Sequence, residues 1–242
     1  MSKPTGTPRA RKAPGRKAVT ARGTAHKAGP SQPLEDHQPK ARQRRPEEVK
    51  ARILKAALHA FALHGYEGTS TRLVSDDANV SVSLLLHHFQ SKENLWKATI
   101  DYAFSKMSIS TITEASILAN ASNAERLKSV IRMLVTGFAE LPDLHRLMTL
   151  EAHKPSERLT WLCETYIKDG FKKMCDLIAV GQKEGTVRPI SPARLRYAIV
   201  AVASIPFSVS AEYQYLTGRN PFSQAEVESS VEFINRLVFV EN

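Results

Sequence analysis

Cysteine is scarce in this 242-residue sequence, which contains only Cys163 and Cys175. The two lie twelve positions apart in a predicted helix, and at about 100° per residue they point roughly 120° apart around its axis. A disulfide within one straight helix is therefore excluded, and reduced thiols, as in a cytoplasm, are expected. The sequence also lacks CxxC and HExxH motifs and other clusters with the spacing of metal ligands. We therefore expect no metal ion and no cofactor.

Long apolar runs are missing as well. No stretch reaches the roughly 18 apolar residues that a membrane-spanning helix needs, so we expect no membrane association. The N-terminal residues lack an apolar segment behind their positive charges, so we expect no secretory signal and a cytoplasmic location. The sequence has neither a serine nucleophile elbow nor a carboxylate pair in a glycine-rich frame, which disfavours an enzyme. Hydrophobic residues still make up 42% of the chain, enough for a substantial core.

Positive charge is concentrated at one end of the chain. Residues 1–45 contain twelve Lys or Arg and two acidic residues, whereas the 22 basic and 22 acidic residues that follow cancel. Because this segment is rich in Pro, Gly, Ala and Thr and lacks aromatic residues, we predict a disordered basic arm over residues 1–45. It is either a passive solvated tail, or the product of a start codon assigned too far upstream, or an arm that contacts DNA phosphates or a minor groove.

Residues 69–92 have the pattern of two short helices joined by a tight turn. Ser70 and Ser81 are predicted N-caps of the first and second helix. Asn79 marks the turn, because asparagine tolerates the left-handed backbone conformation. Leu85 and Phe89 stand four residues apart and share one face of the second helix. The layout is that of a helix-turn-helix, whose second helix enters the major groove of DNA.

The wider stretch from Pro46 to Lys97 resembles the DNA-binding domain of the TetR family of transcriptional regulators. The matching motifs, in the family's order and spacing, are FALHGY at 61–66, GTSTR at 68–72, ANVS at 78–81, Leu85, HHF at 87–89 and SKENL at 91–95.

This resemblance implies an all-α fold with two parts: a three-helix helix-turn-helix head at 46–92 and a larger helical ligand-binding and dimerisation body at 93–242. It implies a homodimeric, ligand-responsive regulator of double-stranded DNA, most simply a repressor that a small-molecule effector releases from a palindromic operator. The alternative is an architectural DNA-coating protein driven by the basic arm.

The predicted recognition helix departs from the family's usual sequence. The positions that usually hold Lys-Gly-Thr-Leu-Tyr hold residues 82–86, VSLLL, of which only Leu85 matches, and Asn79 replaces the usual turn glycine. Apolar side chains favour contact with thymine methyl groups, serine and histidine suit base edges, and basic residues suit phosphates. A packed or surface role is the alternative for both histidines. The predicted DNA-binding residues are Arg42, Arg44, Arg45, Arg72, Ser81, Val82, Ser83, Leu86, His87, His88 and Lys92.

Helical periodicity sets the remaining expectations. The first helix is predicted to start at Pro46 and end at Gly65, and the fourth to run from a Ser91 cap to about Met107. Region 108–124 is either a fraying helix or a loop. Further helices are predicted over 125–141, 144–152 and 156–183.

Large apolar residues of the body are candidates for an effector pocket, and they predict a mainly apolar or aromatic effector. A plain core role is the alternative for each. Four polar residues, His145, His153, Arg158 and Lys168, either face a carboxylate of the effector or lie at the solvated surface. The predicted effector-binding residues are Phe104, Met107, Phe138, Met148, Trp161, Tyr166, Phe171, Met174 and Phe207.

The last two predicted helices, 192–216 and 223–240, carry apolar residues in steps of four and three. Such heptad-like seams pack helix bundles, either inside one chain or between two copies. The family resemblance implies a homodimer through these helices, and Pro206 is expected to kink the first of them. The predicted dimer-interface residues are Val202, Val209, Tyr213, Val227, Val231, Ile234 and Val238.

Overall fold

The computed structural model describes the backbone of residues 39–117 and 121–240 and the side chains of residues 46–106 and 121–240. Within these ranges the chain is helical without strands, which confirms the predicted all-α class. A π-helical turn, Cys163–Ile167, joins α7 to α8. The helices are α1 (Pro39–Gly68), α2 (Thr71–Asp77), α3 (Val82–Phe89), α4 (Lys92–Ile117), α5 (Asn123–Glu140), α6 (Pro142–Glu151), α7 (Glu157–Leu162), α8 (Lys168–Lys183), α9 (Pro192–Ser208), α10 (Ser210–Thr217) and α11 (Gln224–Val238).

Helix α1 begins at Pro39, seven residues before the predicted start at Pro46. Residues 40–45 are Lys, Ala, Arg and Gln, all strong helix formers, and Pro46 inside the helix removes only one backbone donor. The predicted disordered arm is thus corrected at residues 39–45, and its remainder, 1–38, lies outside the described residues. Gly65 interrupts the helix as predicted, with a left-handed φ of 67°.

The first hydrophobic core holds the head together. Ile53 and Phe61 of α1, Val74 of α2, Leu85 of α3 and Trp96 of α4 are each at most 1% exposed. Burying a side chain of this size contributes about 1.5–3 kcal/mol. The two short helices, α2 and α3, are therefore held against α1 and α4 by packing rather than by their own helix propensity, which is marginal at 7 and 8 residues.

The same core extends into the body. Leu144 and Leu147 of α6 and Leu162 of α7 are buried in one continuous cluster with the head residues. Head and body therefore share packing, and α6 and α7 form the part of the body that lies against the head. A second core, which includes the buried residues Leu127, Ile131, Ile178, Ile199 and Ile234, joins α5, α8, α9 and α11.

Helix α4 runs to Ile117, ten residues beyond its predicted end. Helix α5 starts at Asn123 behind a capping box in which Ser122 and Glu125 bond each other's backbone N–H groups. Most of the region that the sequence left between a helix and a loop is therefore helical. Residues 118–120 lie outside the described part of the chain.

The expected kink near Pro206 is confirmed. Helix α9 ends at Ser208, and α10 continues at an angle of 79°. Proline cannot donate the backbone bond to residue 202 and so weakens the last turn of α9. Among the described residues no single helix is long and apolar enough to cross a membrane; α9 and α10 reach that length only when counted together across their bend.

Candidate DNA-binding site and effector region

Two serine caps hold the helix-turn-helix, as predicted. The Ser70 hydroxyl accepts a bond from the Leu73 N–H at 3.0 Å, and the Ser81 hydroxyl accepts one from the Leu84 N–H at 3.1 Å. Such caps each stabilise a helix by about 1 kcal/mol. The Ser81 oxygen is therefore engaged in starting α3, a structural role that the residue has in addition to its predicted one in DNA binding.

The turn between α2 and α3 depends on Asn79, whose φ is 51°. The Asn79 N–H donates to the Asp76 carbonyl at 3.1 Å, and the Val80 N–H donates to the Ser75 carbonyl at 2.9 Å. Ala78 is buried beside the turn. These bonds fix the direction in which α3 leaves α2, which confirms the predicted position of the turn.

Helix α3 has a buried face and an opposite, outward face. Leu85 is fully buried and Phe89 is 4% exposed. At about 100° per residue, Ser83 and His87 lie roughly 160° away from Leu85 around the helix axis, and both are exposed. The two side chains that suit base edges therefore point straight away from the core.

The remaining predicted residues border this outward face. Leu86 and Arg72 are exposed, whereas Val82 and His88 are half-buried at the flanks of α3. Leu84, which the sequence analysis did not select, is 37% exposed and belongs to the same surface. Its exposure could have been predicted from the sequence, because a residue next to the buried Leu85 points about 100° away from it around the helix axis.

Lys92 opens α4 and lies against the end of α1. Its Nζ is 4.4 Å from the centroid of the Tyr66 ring and donates to the Glu67 carbonyl at 3.4 Å. The lysine is half-buried, and its ammonium group is in contact with these two partners. The side chains of Arg42, Arg44 and Arg45 lie outside the described residues, although their backbone belongs to α1.

The head itself carries no excess of positive charge. Between residues 46 and 97 six Lys or Arg are balanced by six Asp or Glu. Attraction to the phosphate backbone normally supplies much of the affinity for DNA. Because the head has no net charge, the basic residues that precede residue 46 are the nearest cluster in the sequence that can attract DNA phosphates.

Most of the predicted effector-binding residues fall into two groups, one in each hydrophobic core. Phe104, Met148, Trp161 and Tyr166 pack against the first core. Phe138, Met174 and Phe207 are buried in the second core, where they fill the bundle. Phe171 lies apart, 6.3 Å from the ring of Tyr197, and the side chain of Met107 lies outside the described residues.

An aromatic group forms where the body meets the head. The rings of Phe104 and Tyr166 stack with centroids 4.1 Å apart, and Trp161 stands edge-on to Tyr166 at 5.8 Å and to Trp96 at 5.7 Å. The π-helical turn contains Tyr166, and such turns are frequent at functional sites. The Tyr166 hydroxyl donates to the Asp101 carboxylate. Burial and this bond raise the pKa of Tyr166 to about 12, so the hydroxyl remains a donor at neutral pH.

Two clefts border the head. One, of about 170 Å³, lies between the end of α1 and helices α6 and α7, with Tyr66, Trp96, Glu151 and Arg158 in its wall. The other, of about 540 Å³, lies between α1 and α4. Among the predicted apolar effector-binding residues whose side chains the structure describes, none lines either cleft, whereas Arg158, one of the four polar candidates, lies in the wall of the first.

Several predicted interface residues are buried within a single chain. Val231, Ile234 and Val238 are at most 3% exposed, so they face the second core and cannot reach a partner, which corrects their assignment. Val202 and Val227 pack against the same core. The remaining two differ: the Tyr213 hydroxyl donates to Glu226 of its own chain at 2.7 Å, and Val209 is exposed at the bend.

Other apolar side chains of the same helices are exposed instead. Phe233 and Leu237 of α11 are 54% and 44% exposed and stand four residues apart. Tyr197 and Ile205 of α9 are 64% and 51% exposed. The apolar seam predicted from the sequence packs against other helices of the same chain. The surface that remains for a partner is the side of α9 and α11 that faces away from this core.

Comparisons with known proteins agree with this arrangement. A family described as "Bacterial regulatory proteins, tetR family" matches residues 53–99, and "Tetracyclin repressor-like, C-terminal domain" matches residues 124–238. The chain is 25% identical to the HTH-type transcriptional regulator RutR of Escherichia coli strain K12 over 189 residues, 78% of this chain and 88% of RutR.

Solved structures share the fold at lower identity. The hemolysin II transcriptional regulator HlyIIR aligns with a TM-score of 0.60 and 22% identity, over 81% of this chain and 99% of that one. AibR, solved in complex with isovaleryl coenzyme A and operator DNA, aligns with a TM-score of 0.61 and 18% identity, over 79% and 98%. With one family match on the helix-turn-helix and a second on the helical body, the chain belongs to the TetR family of bacterial transcriptional regulators, which bind DNA and are not enzymes.

Proposed function

We propose that this regulator is a cytoplasmic homodimeric repressor, with a DNA-binding head at 46–92 and a body at 93–242. Each head places α3 in the major groove of one half of a palindromic operator, and a small, mainly apolar or aromatic effector releases it. The observation that carries the proposal is the outward face of α3, where Ser83 and His87 are held opposite the buried Leu85. A rigid helix with polar groups directed away from its core is what recognition of base edges requires.

The apolar flanks of α3 favour thymine in the operator. Leu84 and Leu86 are each nearly two-fifths exposed, and an exposed leucine in the major groove is complementary to the thymine C5 methyl group. Replacing thymine by uracil in the operator removes only that methyl group. We expect the substitution to weaken binding at the contacted positions and to leave binding elsewhere in the operator unchanged.

The effector region most compatible with control of the head is the aromatic group of Phe104, Trp161 and Tyr166. It lies next to Trp96, which is buried in the core that head and body share. A flat apolar molecule inserted among these rings would move packing that α4 shares with the head. The Tyr166 hydroxyl already donates to Asp101, so the indole N–H of Trp161 is the donor in this group for a polar end of such a molecule.

The homodimer is best supported by the exposed side of α9 and α11. Large apolar side chains left exposed on two packed helices are typical of an interface between copies. A Phe233→Glu and Leu237→Glu double variant should yield monomers in analytical ultracentrifugation without loss of helix. Gln224→Glu, which adds a negative charge at an exposed position near the start of the same helix, is the matched control. A folded, dimeric double variant would place the interface elsewhere.

Sequencing genomic DNA fragments captured by the purified protein tests the proposed function as a whole. A repressor of this design enriches a few fragments that share one palindromic motif. Enrichment without a shared motif would instead favour the architectural DNA-coating alternative, in which the basic arm binds phosphates irrespective of sequence.

A further inference from the structure

The end of α1 is connected to the body by a cluster of charged and aromatic side chains. We call this cluster the Tyr66 latch, defined by Tyr66, Glu67, Lys92, Glu151 and Arg158. The first three belong to the head or to the first turn of α4, and the last two to α6 and α7. The latch does not include the outward face of α3. Its Tyr66 ring lies 6.5 Å from the ring of Trp96, which in turn borders the aromatic group around Tyr166.

Arg158 makes three contacts at once. Its Nε donates to the Glu151 carboxylate at 3.2 Å, its Nη2 lies 3.7 Å from the Glu67 carboxylate, and its guanidinium carbon lies 3.7 Å from the centroid of the Tyr66 ring. Its partner Glu151 is 8% exposed and also accepts a bond from the Ser156 hydroxyl. A planar guanidinium can lie flat on a ring and still direct N–H groups at carboxylates on either side of it, whereas an ammonium group has no plane with which to stack.

The Tyr66 ring also contacts the head's own lysine. Lys92 Nζ lies 4.4 Å from the ring centroid, so one ring is in contact with two cations, one from the body and one at the start of α4. The ring stacks in addition on Phe61, which is fully buried in the head core. A body residue and a proposed phosphate-binding residue are thus connected through a single aromatic side chain.

We infer that Arg158 is a positioning residue for DNA binding: through the Tyr66 latch it fixes the angle at which the body holds each head. This inference rests on the proposed function. A dimer that binds a palindrome must present its two heads about one helical turn of DNA, or a multiple of it, apart. A rigid junction between head and body fixes the distance between the two heads before DNA binds. A flexible junction lets that distance vary.

The test compares operators that differ only in the spacing between half-sites. For the unaltered chain, two extra base pairs between the half-sites should weaken binding strongly. In Arg158→Gln the ratio of the two affinities should shrink about tenfold, a size typical of one buried cation–π and ion-pair contact. Arg158→Lys, which keeps a cation beside Glu151 and Tyr66, should retain part of the ratio. Arg219→Gln, which breaks an exposed pair with Glu226 in the body, should leave it unchanged.

Tyr66→Leu serves as a second variant, because loss of Arg158 leaves Glu151 buried without its cation and can unfold the chain. Tyr66→Leu keeps that pair and removes the ring between the two cations. It should reduce the spacing ratio as much as Arg158→Gln, and the two changes together should not add up. An unchanged ratio in either folded variant overturns the positioning role.

Hydrogen exchange without DNA separates this inference from the proposed function. Amides of residues 64–69 should exchange faster in both variants than in the unaltered chain, and those in α5 should not change. Should the unaltered chain show no preference for any palindrome, the proposed function fails. The latch is then tested by hydrogen exchange alone. Equal exchange rates of residues 64–69 in the variants and in the unaltered chain would overturn it.

Discussion

Two substitutions only two residues apart on α3, at Ser83 and Leu85, should separate stability from recognition. Leu85 is fully buried in the core of the head, so Leu85→Ala leaves a cavity and should lower the free energy of unfolding by about 2–5 kcal/mol. Ser83 is exposed on the other side of the same helix. Because alanine is the better helix former, Ser83→Ala should leave that free energy unchanged or raise it by a few tenths of a kcal/mol, of order ~0.5.

For DNA binding, Ser83→Ala should change the sequence preference, whereas Leu85→Ala should change the overall affinity. A single hydroxyl bond to a base edge lies at the lower end of the ~1–3 kcal/mol that such contacts contribute to discrimination. Ser83→Ala should therefore lose about fivefold in preference at one base pair and little at the others. Leu85→Ala should weaken binding to every sequence, because a larger fraction of heads is unfolded.

Urea unfolding followed by circular dichroism gives the first quantity, and titration against the operator and its single-base-pair variants gives the second. Ser229→Ala, an exposed serine on α11, controls for the helix-propensity term. If Ser83→Ala and His87→Ala both leave every base-pair preference intact, the outward face of α3 does not recognise bases. If Leu85→Ala leaves the free energy of unfolding unchanged, the packing of α3 described above is wrong.

Three further predictions concern packing, protonation and the arm. A Cβ at Gly181 would lie 2.5 Å from Val187 Cγ2, whereas one at Gly170 meets nothing within 4 Å; in urea unfolding Gly181→Ala should therefore cost about 1–3 kcal/mol, and Gly170→Ala should gain about 0.5–1 kcal/mol. Burial lowers the pKa of His145 from 6.5, so the folded state binds its proton less readily. The free energy of unfolding should thus fall as pH drops below 6.5, and His145→Gln should flatten this slope. Deleting residues 1–38 removes eight Lys or Arg. DNA affinity should fall, the loss should become smaller as the salt concentration rises, and thermal stability should be unchanged. Equal affinities of the full and truncated chains at low salt would identify a passive tail.

The helix-turn-helix was predictable from the sequence because its signals are local. Ser70, Ser81 and Asn79 each act on bonds within four residues, and the structure places all three in their predicted roles. The apolar spacing of Leu85 and Phe89 fixed the buried face in the same way. The outward direction of Ser83 and His87 then follows from helix geometry alone.

What the sequence left open depends on contacts between distant segments. The seam of Val231, Ile234 and Val238 has the spacing of an interface, but the same spacing serves a core, and only the packing of α11 on α5 and α9 decides between them. The latch between Tyr66 and Arg158 joins residues 92 positions apart. Arg158 was recognisable as a candidate polar residue, but no local pattern points to the ring that it contacts.

The central claim, that α3 selects one DNA sequence, is tested most directly by competition at raised salt. The full-length chain, bound to the palindrome recovered from genomic fragments, is challenged with the same duplex and with a scrambled one at about 200 mM salt, where phosphate contacts are weakened. The account predicts that the palindrome displaces the complex at concentrations at least about a thousandfold lower than the scrambled duplex, the lower end for specific DNA-binding proteins. Equal displacement by the two duplexes would contradict it.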